Sequence, residues 1–279
     1  MNSTEIRSRF PRILKSIRLY ALYLRLSINA QAQYKSAFII QSLGQLASSG
    51  MGFVGIWALL SRFGSFQTWN IYTIGVLYGL INTSFALAEA FGRGFDVFGS
   101  DFVRNREFDR LLSRPRSPIL QLLGHEVRIK SLGRLLQGVF VLVFCLANAG
   151  DFTLGSFLVI VWCIVGGFFL FLGIFIIQAT LSFWTIDGLE VMNGLTYGGV
   201  QAAQYPVDVY PGWIRFLFIF VVPFSAVAYF PTDVLLHYHD HWGVVEYVKA
   251  ILPILGLIFF CISTFLFRVG ISYYISERN

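Results

Sequence analysis

The sequence predicts an all-α polytopic membrane protein with six spanning helices, an N-terminal interfacial helix and a short cytoplasmic helix between two spans. Three observations carry that prediction. Only 13% of the residues are charged and 56% are hydrophobic, where a soluble domain has about 25% charged residues. The apolar residues fall in runs of roughly 20, the length that crosses a hydrocarbon core. The 21 lysines and arginines cluster between particular runs, as they do when loops are held on the inner face of a membrane.

Residues 1–35 form the first unit. Arg7, Arg9, Arg12, Lys15, Arg18 and Arg25 interrupt the apolar residues, so the segment does not read as a cleavable signal peptide. Phe10, Ile13, Leu14, Ile17, Ala21 and Leu24 recur at steps of three and four, which places them on one helical face. A helix lying on the inner leaflet is expected, held by apolar burial and anionic lipid.

Residues 36–279 form the second unit, a single membrane domain. Spans are expected near Ser36–Leu60, Ile71–Phe91, Ser131–Ala149, Leu154–Trp184, Trp213–Leu235 and Tyr247–Gly270. The fourth run is long enough to tilt or to extend beyond the bilayer. Pro223 and Pro231 interrupt the fifth, which predicts a kink or a break. With the N-terminus inside, only Arg62 and Lys249 of the 21 basic residues lie outside. That sets both termini inside, with Arg215 at the inner boundary. Gly75 and Gly79 form GxxxG in the second span, a pattern for close helix packing within or between subunits. Cys145, Cys163 and Cys261 all fall in apolar runs and read as small buried hydrophobes.

Between the second and third spans lies a polar island, Phe91–Gln121. It holds Arg93, Arg104, Arg106, Arg110, Arg114 and Arg116 with Asp96, Asp101, Glu107 and Asp109 interspersed. Ser100 or Asp101 is a candidate cap for a helix over residues 102–113, with Pro115 and Pro118 as its stop. Phe102, Phe108, Leu111 and Leu112 give this helix an apolar side, and Arg104, Arg106, Glu107, Asp109, Arg110 and Arg114 its charge. Such a helix suits insertion into a groove on a soluble partner. The alternative is a loop that grips anionic headgroups.

Other chemistry is sparse. No lysine follows a glycine, so the chain carries no P-loop. Glu89 and Arg134 sit at span ends, where a charge reaching the interface is the simple reading and an ion pair the other. His237, His239 and His241 form H-x-H-x-H on an outer loop, a candidate metal site set against the simpler reading of an exposed turn.

Two stretches resemble the permease subunits of ABC-2 type transporters, in particular the bacterial six-span permeases. One is Phe108–Gln121, where Asp109, Leu111, Leu112, Arg114, Pro115, Ser117 and Pro118 fit the pattern and Arg110 and Arg116 depart from it. The other is Leu181–Pro211, with Ser182-Phe183-Trp184, Tyr197-Gly198-Gly199, Gln204-Tyr205-Pro206 and Tyr210-Pro211. The resemblance implies an exporter subunit of the bacterial inner membrane, paired with an identical or paralogous permease. It implies two cytoplasmic ATPase subunits that carry ATP and Mg, with no cofactor in this chain and no catalysis by it. It also makes the N-terminal helix a connecting helix and the island helix a coupling helix. The alternatives are a membrane metal-binding protein or enzyme using the histidine loop, and a non-transporting scaffold. For residues 185–212 two arrangements are open: short interfacial helices, or a segment that re-enters the membrane against protein.

Overall fold

The computed structural model describes residues 20, 22–23, 25–29, 35–64, 69–128, 130–149, 153–185, 192–236 and 246–276. They are helical, with no β-strand among them. The long helices are α1 (Lys35–Phe63), α2 (Ile71–Phe91), α3 (Ser131–Ala149) and α4 (Leu154–Leu181). After the bent pair Gly212–Val221 and α5 (Ser225–Leu235) comes α6 (Ile254–Ser276). Among the described residues, five helices are long and apolar enough to cross a membrane, and the bent pair makes a sixth if it counts as one span. The expected spans at 71–91 and 131–149 coincide with α2 and α3. The fourth helix ends at Leu181, three residues short of expectation.

Helix α2 is the centre of the bundle. Of its most apolar stretch, 83% is buried, against 11% for α1. Asn70 caps it, accepting from the backbone N–H groups of Tyr72 and Thr73 at 2.9 and 3.0 Å. The Thr73 side chain in turn accepts from the Asn70 N–H at 2.9 Å, so two otherwise orphaned donors are satisfied reciprocally. Helix α3 lies against α2 through glycine contacts. A Cβ on Gly79 would sit 2.8 Å from the Leu142 Cα, and one on Gly138 would sit 3.0 Å from the Thr83 backbone nitrogen. The GxxxG pair thus serves an intramolecular contact. In hydrocarbon, helix association relies on such close backbone approach, because lipid tails are as apolar as the side chains. Gly256 of α6 likewise abuts the backbone of Gly166 in α4.

The fifth span is not one helix. Gly212–Val221 and α5 meet at 76°. The break falls at Val222 and Pro223; Val222 is extended (φ −120°, ψ 96°) and proline cannot continue a helix. Pro231 does not end α5; the turn before it, Ser225–Tyr229, is π-helical, with the Phe230 N–H donating to the Ser225 carbonyl, and such a local widening accommodates a proline inside a helix.

Residues 192–221 fold back against the helical bundle. Tyr197 packs on Phe85 near the Phe91 end of α2, and Gln204 Nε2 donates to Asn82 Oδ1 at its middle, at 3.5 Å. Further along, the Asp208 carboxylate accepts from the Tyr229 hydroxyl, and Tyr229 lies 5.4 Å from Trp69, just before α2 begins. The Gly212–Val221 arm then returns beside residues 194–202. Arg215 donates to the carbonyls of Asp208 and Tyr210 at 3.1 and 3.3 Å. It therefore belongs with the Asp208–Tyr229 group, not with the island arginines as the charge pattern suggested. Cys145 and Cys163 are buried as expected; Cys261 is exposed, on the outward side of α6.

The α2–α3 contact gives a direct test. Gly79→Leu forces a side chain into the α3 backbone and should destabilise the purified protein by about 1–3 kcal/mol. Gly44→Leu, on the open side of α1 where a Cβ meets nothing within 4 Å, should leave the melting temperature in place. Equal melting temperatures for both variants would contradict this packing.

Candidate functional site: a charged girdle under an arginine-rich loop

A carboxylate at the end of an apolar helix stays charged in a buried place only with close partners. Glu89, in the last turn of α2, is 5% exposed. Arg128 Nη1 reaches its Oε1 at 2.7 Å, and Arg134 Nη1 lies 3.6 Å from its Oε2. Arg134 also lies over the Phe85 ring, 4.8 Å from the centroid. The structure thus holds the ion-pair reading of Glu89 and not the interfacial one. Arg128 is fixed by its backbone too, its N–H donating to the Ala90 carbonyl at 3.0 Å.

The network continues around the bundle end. Asp96 accepts from Arg93 Nη1 at 2.6 Å and from the Tyr197 hydroxyl at 3.2 Å, with Arg128 Nη2 at 3.8 Å. Arg93 also lies 3.9 Å from Glu126. Gln178 of α4 donates to the Asp96 carbonyl at 3.4 Å and to Asn193 Oδ1 at 3.0 Å, and accepts from Thr196 Oγ1 at 3.0 Å. Burial works against the charge on Arg128, but Glu89, Tyr197 and Asp96 outweigh it and hold its pKa above the usual arginine value. Partial burial, then the field of Arg128, pull the Lys130 ammonium below the ordinary lysine range. The girdle ties α2, α3, α4 and residues 192–197 together at one end.

The island sits on this girdle, and its helices differ from the expected one. Residues 102–113 do not form a single helix. Phe98–Val103 is a π-helical turn, residues 104–107 form a turn, and Phe108–Leu112 is a short α-helix. Arg106 has φ +58°, a left-handed conformation that stops a helix. The Arg104–Glu107 run carries no apolar side chain to bury, so nothing holds a helical turn there. Ser100 and Asp101 lie inside the π-helical turn and cap nothing; the Ser100 hydroxyl donates to the Val97 carbonyl at 3.1 Å. Pro118 starts the next helix, Pro118–Leu123, instead of serving as a stop.

The apolar side of the island faces the protein's own core. Phe108 is fully buried among Phe98, Phe183 and Tyr274, with ring centroids 5.0–5.5 Å away. Phe102 packs on His125 at 4.9 Å, Leu111 is buried, and Leu112 is partly covered. Asp109 accepts from the Tyr274 hydroxyl of α6 at 3.1 Å. Arg104, Arg106, Glu107, Arg110 and Arg114 are exposed. Glu107, Arg110, Arg114 and His125 line a cleft of about 280 Å³ with Tyr23 of the N-terminal segment. Ser27 of that segment accepts from the Val127 N–H at 2.9 Å. Most of the predicted interfacial helix otherwise lies outside the described residues.

Of the second stretch, Tyr197 enters the girdle and Gly199 lets the Phe224 ring approach to 3.1 Å of a would-be Cβ. Gly198 borders open space, Pro206 precedes a 3-10 turn at Val207–Val209, Tyr205 is exposed, and Trp184 stacks on Tyr273 at 5.3 Å. His237, His239 and His241 lie outside the described residues, among which no His, Cys, Asp and Glu side chains group to hold a metal. Sequence reading named Glu89 and Arg134 but did not join them to Arg128, Asp96 and Tyr197. The available signal was charge of both signs at the ends of runs that must meet.

The girdle yields a graded prediction. Glu89→Gln or Arg128→Gln leaves a buried charge without its partner and should destabilise by on the order of 3–5 kcal/mol. The double variant should recover part of that loss, with a coupling of roughly 0.5–3 kcal/mol in a thermal-unfolding cycle. Tyr197→Phe, losing one hydrogen bond, should cost about 0.5–1.5 kcal/mol. Strict additivity of the first two would show that the pair does not act as one.

Comparison with known proteins bears on what this end of the bundle serves. No curated protein sequence matches the chain. A family model described as ABC-2 family transporter protein matches residues 46–277, which takes in four of the five candidate spans, the later part of the first, the girdle and the island. The chain is a multi-pass membrane protein that belongs to the ABC-2 transporter family, as a permease component of an ABC transporter.

Proposed function

We propose that this chain is one permease of an ATP-driven exporter in the bacterial inner membrane, and that the exposed arginines of the island contact the ATPase. The observation that carries this reading is the two-sidedness of residues 98–114. Their aromatic side is anchored on the turn after α4 and on α6 through Phe183, Phe267 and Tyr274, while Arg104, Arg106, Arg110 and Arg114 face outward. A push on that outer surface acts directly on the ends of the spans.

The topology in this reading has six spans, the bent pair counted as one, with both termini in the cytoplasm. Two contacts support it: Tyr274 near the C-terminal end meets Asp109, and Ser27 near the N-terminal end meets Val127. Ser27 and Tyr274 thus meet the segment that holds the island and the basic residues around it, which agrees with the inner side that the positive-inside rule assigns to such a segment. Residues 1–35 act as the connecting helix and residues 36–279 as the membrane domain. Two ATPase subunits supply ATP and Mg chemistry, and a second permease, identical or paralogous, completes the path.

The test is a charge reversal on the exposed side. Arg110→Glu with Arg114→Glu should reduce co-purification of the ATPase from native membranes by at least about tenfold, equivalent to about 1.4 kcal/mol. ATP hydrolysis by the recovered complex should fall with it. Asp109 is unsuitable for this purpose because it holds Tyr274. ATPase recovery equal to wild type, with hydrolysis intact, would remove the island from the coupling role.

A further inference from the structure

A cavity of about 500 Å³ lies between α4, residues 192–202 and the Gly212–Val221 arm. That volume is in the range of sites that hold one small ligand, roughly 300–1,000 Å³. Ile174 and Ile177 of α4 form one wall, and Leu217 and Val221 of the arm form the opposite one. Among the described residues, no acidic or basic side chain lines it. Its one tyrosine hydroxyl, on Tyr210, is engaged with the Ala202 carbonyl at 2.8 Å. Hydrocarbon meets apolar walls there.

The third wall carries the stronger observation. Gly194 and Gly198 lie one helical turn apart on it, and a Cβ on either would meet nothing within 4 Å. Gly198 has an ordinary right-handed backbone, φ −67° and ψ −38°. Neither close packing nor backbone geometry calls for glycine at 198, unlike at Gly79 or Gly256. Glycine in a helical turn costs about 1 kcal/mol against alanine. What the two glycines do is leave the cavity empty of side chains. The cavity mouth is bordered by Leu181, Trp213 and Val221, which are 37%, 71% and 54% exposed. In a membrane protein such an apolar rim faces lipid tails.

We infer that this cavity is a binding site for one acyl chain of a bilayer lipid, which enters sideways past Trp213 and lies along the bare Gly194–Gly198 wall. The site is built within a single permease. An unfilled apolar cavity forfeits dispersion contacts on its lining, which a chain restores. The inference rests on the membrane character of the chain and not on the ATPase partnership, and its test contains no ATPase.

The full chain is reconstituted in nanodiscs of phosphatidylethanolamine and phosphatidylglycerol, with a phosphatidylglycerol that carries a diazirine on one acyl chain. After irradiation, adducts are mapped by peptide mass spectrometry. Wild type should show adducts on the cavity walls, at Ile174, Ile177 and residues 213–222, in excess over those on the open side of α1. Gly198→Trp and Gly194→Leu each fill the cavity and should abolish the wall adducts while those on α1 persist. If one variant lowers the melting temperature, the other decides. Wall adducts no denser than those on α1, or undiminished in a variant that keeps its melting temperature, would mean annular lipid only and would overturn the site.

Discussion

A carboxylate cannot be left alone at the end of an apolar helix, and the way Glu89 is accommodated sets much of the rest. Its two arginine neighbours come from different places, Arg128 from the loop before α3 and Arg134 from the first turn of α3. Arg128 also approaches Asp96, which Tyr197 and Arg93 share. Each partner lowers the desolvation penalty of the others, so the group is stable only as a set. Because the set draws on α2, α3, the island and the segment after α4, those elements meet in one arrangement at this end.

Glycine is used in two opposed ways in the same bundle. At Gly79, Gly138, Gly166 and Gly256 the missing side chain lets backbones touch, which in hydrocarbon takes the place of a hydrophobic driving force. At Gly194 and Gly198 it keeps space open. The difference lies in the neighbours and not in the residue. The broken fifth span belongs with the second use. Residues 192–221 are folded against α2, α4 and α5. Tyr197, Gln204 and Tyr229 supply the side-chain hydrogen bonds that hold this segment in place.

The island shows how a short charged loop can be both anchored and exposed. Five aromatic rings, Phe98, Phe102, Phe108, Phe183 and Phe267, pack around it. The arginine-rich turn between its two helical pieces then stands out from a rigid base. A single amphipathic helix would have turned its aromatic side toward a partner; here that side is spent on the protein's own core.

The sequence by itself determined the fold class, the positions of most spans and the crowding of basic residues around one loop. Those features follow from local composition: a run of about 20 apolar residues must cross hydrocarbon or be buried. Even the helix limits at Ile71–Phe91 and Ser131–Ala149 were legible, because polar residues bound them. The tertiary structure alone decided which charges meet. Glu89 and Arg128 are 39 residues apart and Asp96 and Tyr197 are 101 apart, and no periodicity encodes such a pairing. It likewise decided that Phe108 points inward, that Arg215 lies away from the other arginines and that Gly198 borders a cavity while Gly79 borders a helix. Composition fixes where a segment can reside, whereas its partners depend on packing among distant segments, which only the folded chain brings together.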